Sequence, residues 1–379
     1  MIYLDANATE PLRPSARAAL IAALGRGGGD AGGNMLGNPY SVHAAGRAAR
    51  RILEDAREQL AARFGARPAD VVFTSGATEA DALALYALGA NRRLIVGATE
   101  HDAVLSPATL SSSKGATLLP VDHEGIADLA ALEVLLASGA PALVCLMAAN
   151  NETGAIQPIA EAATICHRHG ALLHVDAVQA AGRMAFSLAA SGADSAAISS
   201  HKMGGPAGVG ALLLAPTHTA LSPLISGGGQ ERGRRGGTPA VAICAGFAAA
   251  ALVAGDASAL APLRDAAERT AVAHGAVIVG GRVPRLPNTT CLALPGVRAD
   301  AQVIALDLAG VCVSAGAACA AGKISSSHVL AAMGLGELAE QAIRVSFPWN
   351  AHAEHVEGFA RAYANMAAAL GKTLSGVAA

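Results

Sequence analysis

Residues 199–214 read SSHKMGGPAGVGALLL, and Lys202 stands between an apolar run and a glycine-rich turn. An amine beside a histidine, two serines and small residues leaves room for a carbonyl compound to approach. In such a place its pKa can fall and it can form a Schiff base; on these residues alone, a surface lysine on a turn fits as well. Residues 174–179, HVDAVQ, put Asp176 at the end of an apolar stretch. A buried carboxylate needs a partner. A cationic ring nitrogen is one such partner, and a structural salt bridge is another. In residues 73–80, FTSGATEA, a strand end runs through a Ser-Gly-Ala-Thr turn into a helix start. Free N–H groups at a helix start bind anions, and Thr78 adds a hydroxyl. Plain capping explains the same residues without a ligand. Residues 226–240, SGGGQERGRRGGTPA, combine glycines with three arginines and fit a phosphate-binding or interface loop. Nucleic acid fits less well, because the basic stretch is short and lacks stacking aromatics.

A lone thiol completes the set. Cys319 lies in VSAGAACAAGKISSSH, residues 313–328. The Gly-Lys pair invites a phosphate-loop reading, but that loop needs four residues between its glycine and the Gly-Lys, then Ser or Thr. Here Gly316 and Gly322 enclose five residues, and Ile324 follows Lys323. The other reading is a nucleophile on a loop whose alanines and glycines permit motion and close approach.

These residues need a scaffold. Short apolar runs at 71–76, 93–98, 117–122, 142–150, 171–178, 195–201 and 208–215 read as strands. Helical patterns at 44–64 and 159–169 alternate with them. The alternation predicts an α/β fold with a mainly parallel sheet covered on both faces, whose site lies at the carboxyl ends of the strands. Near residues 255–258 the pattern changes to a helix at 260–274 and short strands in AVIVGG, NTTCLALPG, VCVSAG and AIRVSF, which predicts a smaller α/β unit. Residues 25–33, GRGGGDAGG, read as a flexible loop.

The 379 residues carry a net charge of -2 with 15% charged residues, so neither nucleic acid nor an anionic membrane is the expected partner. Aromatics are 3%, so the core must be aliphatic. The uncharged, alanine-rich run 239–255 is short for a membrane span and reads as a buried helix. Without a basic region followed by an apolar stretch at residues 1–14, the expected location is the cytoplasm. Six scattered cysteines without a CxxC pair predict no disulfide framework, with Cys145, Cys166, Cys244 and Cys291 as core filler. His352 and His355 form an HxxH, which fits helix-surface histidines better than a metal site, and no metal is expected.

Taken in order, YLDANAT, GNPYSVHAAGR, FTSGATEA, TEHDAVL, ANNETGAIQPI, HVDAVQAAG, SSHKMGGPAGVGAL, GGGQERGRRGGTP, SAGAACAAGKISSSHVLAAMG and AIRVSF span almost the whole chain. In these segments it resembles the pyridoxal-phosphate-dependent cysteine desulfurases of the NifS and IscS type, within the class V aminotransferase family. The resemblance implies the type I pyridoxal-phosphate transferase fold. It implies a large cofactor-binding domain with a seven-stranded, mainly parallel sheet over 15–255. A small α/β domain would combine 1–14 with 256–379 and carry the cysteine loop.

The same resemblance implies roles. Lys202 would hold pyridoxal 5'-phosphate and, when freed, move the substrate's Cα proton. Ala77 and Thr78 would bind the phosphate with Ser199 and His201. Asp176 would pair with the ring nitrogen, Gln179 with the phenolic oxygen, and His101 would stack on the ring and assist proton transfer. Asn151 and Arg344 would hold the substrate carboxylate. Thr238 would reach the phosphate of a neighbouring subunit, implying a homodimer. Cys319 as thiolate would take sulfur from L-cysteine, leaving L-alanine and a persulfide for an acceptor such as an iron–sulfur scaffold protein. With only Lys323 charged nearby in sequence, its activation is expected from the site, through a group such as His101.

Other enzymes of this fold, such as a selenocysteine lyase or an aminotransferase, would keep Lys202 and Asp176, but transamination does not need Cys319. A sulfur-transfer scaffold active only with a partner is an alternative of another class. Glu10 stands where relatives carry threonine, and Tyr40 interrupts a GNPSS-like segment. Both bear on local substrate or loop behaviour rather than on cofactor chemistry.

Overall fold

The computed structural model describes residues 1–25, 36–111, 115–218, 220–316 and 326–377. Cys319 and Lys323, and residues 26–33 of the glycine-rich stretch, lie outside the described residues. Seven strands form the main sheet. In spatial order they are Val71–Thr74, Gly210–Leu214, Ser195–Ser199, Leu172–Asp176, Ala142–Met147, Arg93–Gly97 and Thr117–Leu119. Gly210–Leu214 runs antiparallel to both its neighbours, and the other pairings are parallel.

Every residue of Ala142–Met147 is buried. Its side chains alternate between two cores, as the period of a strand requires. Val144 and Leu146 face one cluster with Leu53, Leu60 and Phe64 of the Ala44–Phe64 helix. Leu143 and Cys145 face another with Leu83 and Leu85 of the Ala77–Leu88 helix. A sheet covered on both faces needs such continuous apolar strands. The 239–255 run contains the helix Val241–Val253, most of it buried, with Phe247 in the first cluster. Among the described residues, no single helix is long and apolar enough to cross a membrane.

The C-terminal third builds a four-stranded antiparallel sheet in the order Ser314–Ala315, Ala342–Ser346, Thr289–Ala293, Val277–Val279. The VCVSAG run divides between two sheets, because Val311–Cys312 pairs in parallel with Ile2–Tyr3. Leu4 then enters the cluster of Leu292, Ile343, Phe359 and Tyr363.

The arginine-rich loop has a structural role in this chain. Glu231 is buried and takes two bonds of 2.7 Å from the Arg57 guanidinium and one of 2.9 Å from the Phe73 N–H. Arg235 grips Glu79 at 2.7 Å, and Arg234 donates to the Ala69 carbonyl at 2.6 Å. The departure at Tyr40 belongs to this network, since its hydroxyl accepts the Glu231 N–H at 3.0 Å. Glu231→Ala would leave the buried Arg57 guanidinium with the more exposed Glu54, 3.2 Å away, as its remaining carboxylate partner, so it should cost about 3 kcal/mol in denaturant unfolding. A loss below about 1 kcal/mol would contradict this account.

Candidate active site

The carboxyl ends of the parallel strands meet in a cavity of about 310 Å³. One wall is the start of the Ala77–Leu88 helix, which follows Val71–Thr74 through Ser75 and Gly76. Its first N–H groups have no partner within the helix. Gly210 stands against this start. A Cβ there would lie 2.6 Å from the Gly76 carbonyl carbon and 2.8 Å from the Ala77 nitrogen, so only glycine permits the approach.

The opposite wall comes from neighbouring strands. Asp176 ends Leu172–Asp176, and Ser199 ends Ser195–Ser199. A single tight turn, Ser200–Lys202, then carries the lysine. Gly204, at φ 79°, turns the chain back beside Arg13.

Nine of the residues expected at the site line this one cavity: Ala77, Thr78, His101, Asn151, Asp176, Gln179, Ser199, His201 and Lys202. Lys202 Nζ donates to the carbonyls of Asn7 at 2.6 Å and Ala8 at 2.8 Å. His101 Nδ1 accepts the Ala103 N–H at 3.0 Å, which leaves Nε2 as the protonated nitrogen of the neutral ring. Asp176 is buried, with Oδ1 accepting the Val178 N–H at 2.9 Å. Burial, and after it the neighbouring Asp81, push the Asp176 carboxyl up to about 6. Burial and then the Lys202 charge bring His201 down to about 4, which keeps it neutral.

Two expected residues stand outside the cavity lining. Arg344 is buried behind Asn151, donating to its carbonyl at 3.1 Å and to Asp5 Oδ1 at 2.7 Å. A substrate carboxylate would compete with Asp5 for that guanidinium. Thr238 is exposed in an adjoining hollow with Phe73, Thr74, Ser75 and Gly208.

Sequence reasoning passed over Asn7, Asp81, Glu152 and His174 as site components. Asn7 is buried, and its side chain donates to the Asn151 carbonyl and to Thr289 Oγ1, each at 3.0 Å. Gln179 Nε2 donates to the Asn7 carbonyl at 3.1 Å, the same carbonyl that receives Lys202. Glu152 adjoins Asn151 and accepts from Ser327 Oγ at 2.6 Å. The signal available was a polar side chain inside an otherwise apolar or small-residue run, as with Asp81 in ATEADALAL.

The departure at Glu10 is also accommodated. Its carboxylate is buried 3.5 Å from Arg183 and accepts the Trp349 N–H at 3.2 Å, so it ties the N-terminal segment to the C-terminal part of the chain.

The class-V aminotransferase profile matches residues 2–359. A cysteine desulfurase of Cereibacter sphaeroides is 41% identical over 367 residues, covering 93% of this chain and 92% of that protein. The chain belongs to the cysteine desulfurase family. An IscS-like cysteine desulfurase of Mycobacterium tuberculosis is 40% identical over 355 residues, covering 88% of each. The crystal structure of a NifS-like protein from Rickettsia africae superposes with a TM-score of 0.86 at 32% identity, covering 97% of this chain and 99% of that one. The large mainly parallel sheet is that of the type I pyridoxal-phosphate enzymes.

Pyridoxal phosphate is the cofactor of this family, and the residues present fit it. The helix start at Ala77 and Thr78 suits an anion. Asp176, deep in the same cavity, suits a cation, which would draw its raised pKa down again. Gln179 Oε1 is buried with no hydrogen-bond partner, as a side chain awaiting a ligand donor would be.

Proposed function

We propose that this chain converts L-cysteine to L-alanine and passes the sulfur on as a persulfide of Cys319. The observation that carries the reading is a single cavity holding Lys202, Asp176, His101 and the Ala77–Thr78 helix start, in a chain of this family. Lys202 would hold pyridoxal phosphate, with Ala77, Thr78, Ser199 and His201 at its phosphate, Asp176 at the ring nitrogen, Gln179 at the phenolic oxygen and His101 on the ring face. When bound, the cofactor supplies a carbonyl for the substrate amine and an electron-withdrawing ring that stabilises negative charge at Cα.

The chain's own residues do the rest. Asn151 and Arg344 orient the substrate carboxylate, for which a guanidinium fork is well suited. The Lys202 amine takes the Cα proton, and His101 exchanges protons from Nε2. The Cys319 thiolate forms a sulfur–sulfur bond with the substrate Sγ while the Sγ–Cβ bond breaks, its electron pair staying with carbon. Protonation of that carbon and return of a proton to Cα complete alanine.

We place the cofactor-binding unit in 15–255, and 1–14 with 256–379 in a second unit. The protein acts in the cytoplasm as a homodimer in which Thr238 reaches the partner subunit's phosphate site, and its sulfur goes to a scaffold protein for iron–sulfur assembly. The exposure of Thr238 supports the dimer, because its own cavity does not use it. The purified protein loaded with pyridoxal phosphate should carry a visible absorbance that borohydride abolishes, and should form alanine from cysteine in the presence of a thiol acceptor. A protein that takes up no cofactor would overturn the reading. Equal turnover of an amino acid lacking sulfur would point to an aminotransferase.

A further inference from the structure

The cavity presents two carboxylates. Beside Asp176 stands Asp81, fully buried in the Ala77–Leu88 helix. Its Oδ1 lies 3.0 Å from His174 Nε2, and His174 Nδ1 lies 2.8 Å from Ser195 Oγ. His174 and Ser195 are also fully buried. The second oxygen, Asp81 Oδ2, is buried with no hydrogen-bond partner. Asp176 differs in having the Val178 N–H on its carboxylate.

The ionisable groups around Asp81 are few. Leu172–Asp176 contributes His174 and Asp176. The turn before the Asp102–Ser111 helix contributes Glu100 and His101, that helix begins with Asp102, and Ala142–Met147 contributes Cys145. The strands Val71–Thr74, Ser195–Ser199 and Gly210–Leu214, which also pack on this helix, carry no ionisable side chain. Lys202 lines the same cavity, with its Nζ on the Asn7 and Ala8 carbonyls. Two carboxylates sharing a dry site do not both ionise readily, and the one with an N–H donor keeps the charge. An orphaned neutral carbonyl oxygen also costs less than an orphaned carboxylate oxygen.

We propose that Asp81 is held as the neutral acid, donating from Oδ1 to His174 Nε2, and acts as a positioning residue that leaves the cavity's negative charge on Asp176. This rests on the cofactor reading above, in which Asp176 faces the ring nitrogen. The His174 proton then sits on Nδ1 and is donated to Ser195 Oγ. The direction of the electrostatics agrees: burial pushes Asp81 up to about 7, above Asp176, and brings His174 down to about 4.

Histidine-selective 15N NMR of the full-length protein at pH 6, with and without cofactor, tests the inference. The His174 signals should be those of the Nδ1–H tautomer. They are assigned by their loss in His174→Gln, or by their displacement in Ser195→Ala if the first variant does not fold. Above neutral pH the wild type should move to the Nε2–H tautomer as Asp81 ionises, whereas Asp81→Asn, whose amide keeps donating, should stay Nδ1–H. An Nε2–H ring at pH 6 in the wild type, or the same pH response in Asp81→Asn, would overturn the proposal. A protein that binds no pyridoxal phosphate yet shows these tautomers would remove the functional reading and leave the proton placement standing.

Discussion

Lys202→Ala should lose the visible cofactor absorbance and lower turnover of cysteine by about 10^4-fold or more. A positioned general base alone contributes roughly 10^2–10^4-fold, and covalent attachment is lost with it. The loss should not come from unfolding. Lys202 is half-buried in a short turn, and its amine donates to the cavity-side carbonyls of Asn7 and Ala8. Thermal denaturation of the variant should therefore stay close to that of the cofactor-free wild type. Lys202→Arg should fail as well, because a guanidinium stays protonated. Residual activity within tenfold of wild type would exclude Lys202 as the base.

Cys319→Ala should leave the absorbance intact and reduce sulfur transfer by about 10^3-fold or more, the scale of losing a covalent nucleophile. The other cysteines cannot readily replace it. Cys145, Cys166, Cys244 and Cys291 are buried in the cores. Burial pushes the Cys166 and Cys244 thiols up to about 12, and those of Cys145 and Cys291 also rise, so little thiolate forms. Cys312 is partly exposed but lies in the short strand paired with Ile2–Tyr3. Mass spectrometry after cysteine treatment should find one added sulfur on the wild type and on Cys312→Ser, and none on Cys319→Ala. A persulfide found in Cys319→Ala would move the role to another thiol.

The sheet was legible because its strands are short apolar runs closed by polar turns. The 142–150 run contains the strand Ala142–Met147, and the 44–64 pattern matches the helix at both ends. Lys202, Asp176 and Thr78 were legible for a related reason: each sits where a strand gives way to a turn or helix. Arg344 was harder, since it lies inside the strand Ala342–Ser346 and its bonds to Asp5 and Asn151 come from distant segments. Asn7 carries no local signature, and that of Asp81 is no more than one polar residue among alanines and leucines. An asparagine in a short N-terminal run and an aspartate within a helix look like ordinary polar positions until the fold surrounds them.

The hydrogen bonds of Asn7 have a consequence for how the protein is made. Its backbone N–H donates to Ser346 Oγ, 339 positions later, and its side-chain oxygen accepts from Asn288 Nδ2. The Lys202 amine rests on the carbonyls of this same segment. During synthesis the lysine therefore emerges from the ribosome well before the surroundings that hold its cradle in place. The chain can build its large sheet early, but it cannot finish the reactive pocket until nearly all of it has been translated. A stalled or truncated nascent chain thus lacks the completed pocket, which ties chemical competence to completion of the polypeptide.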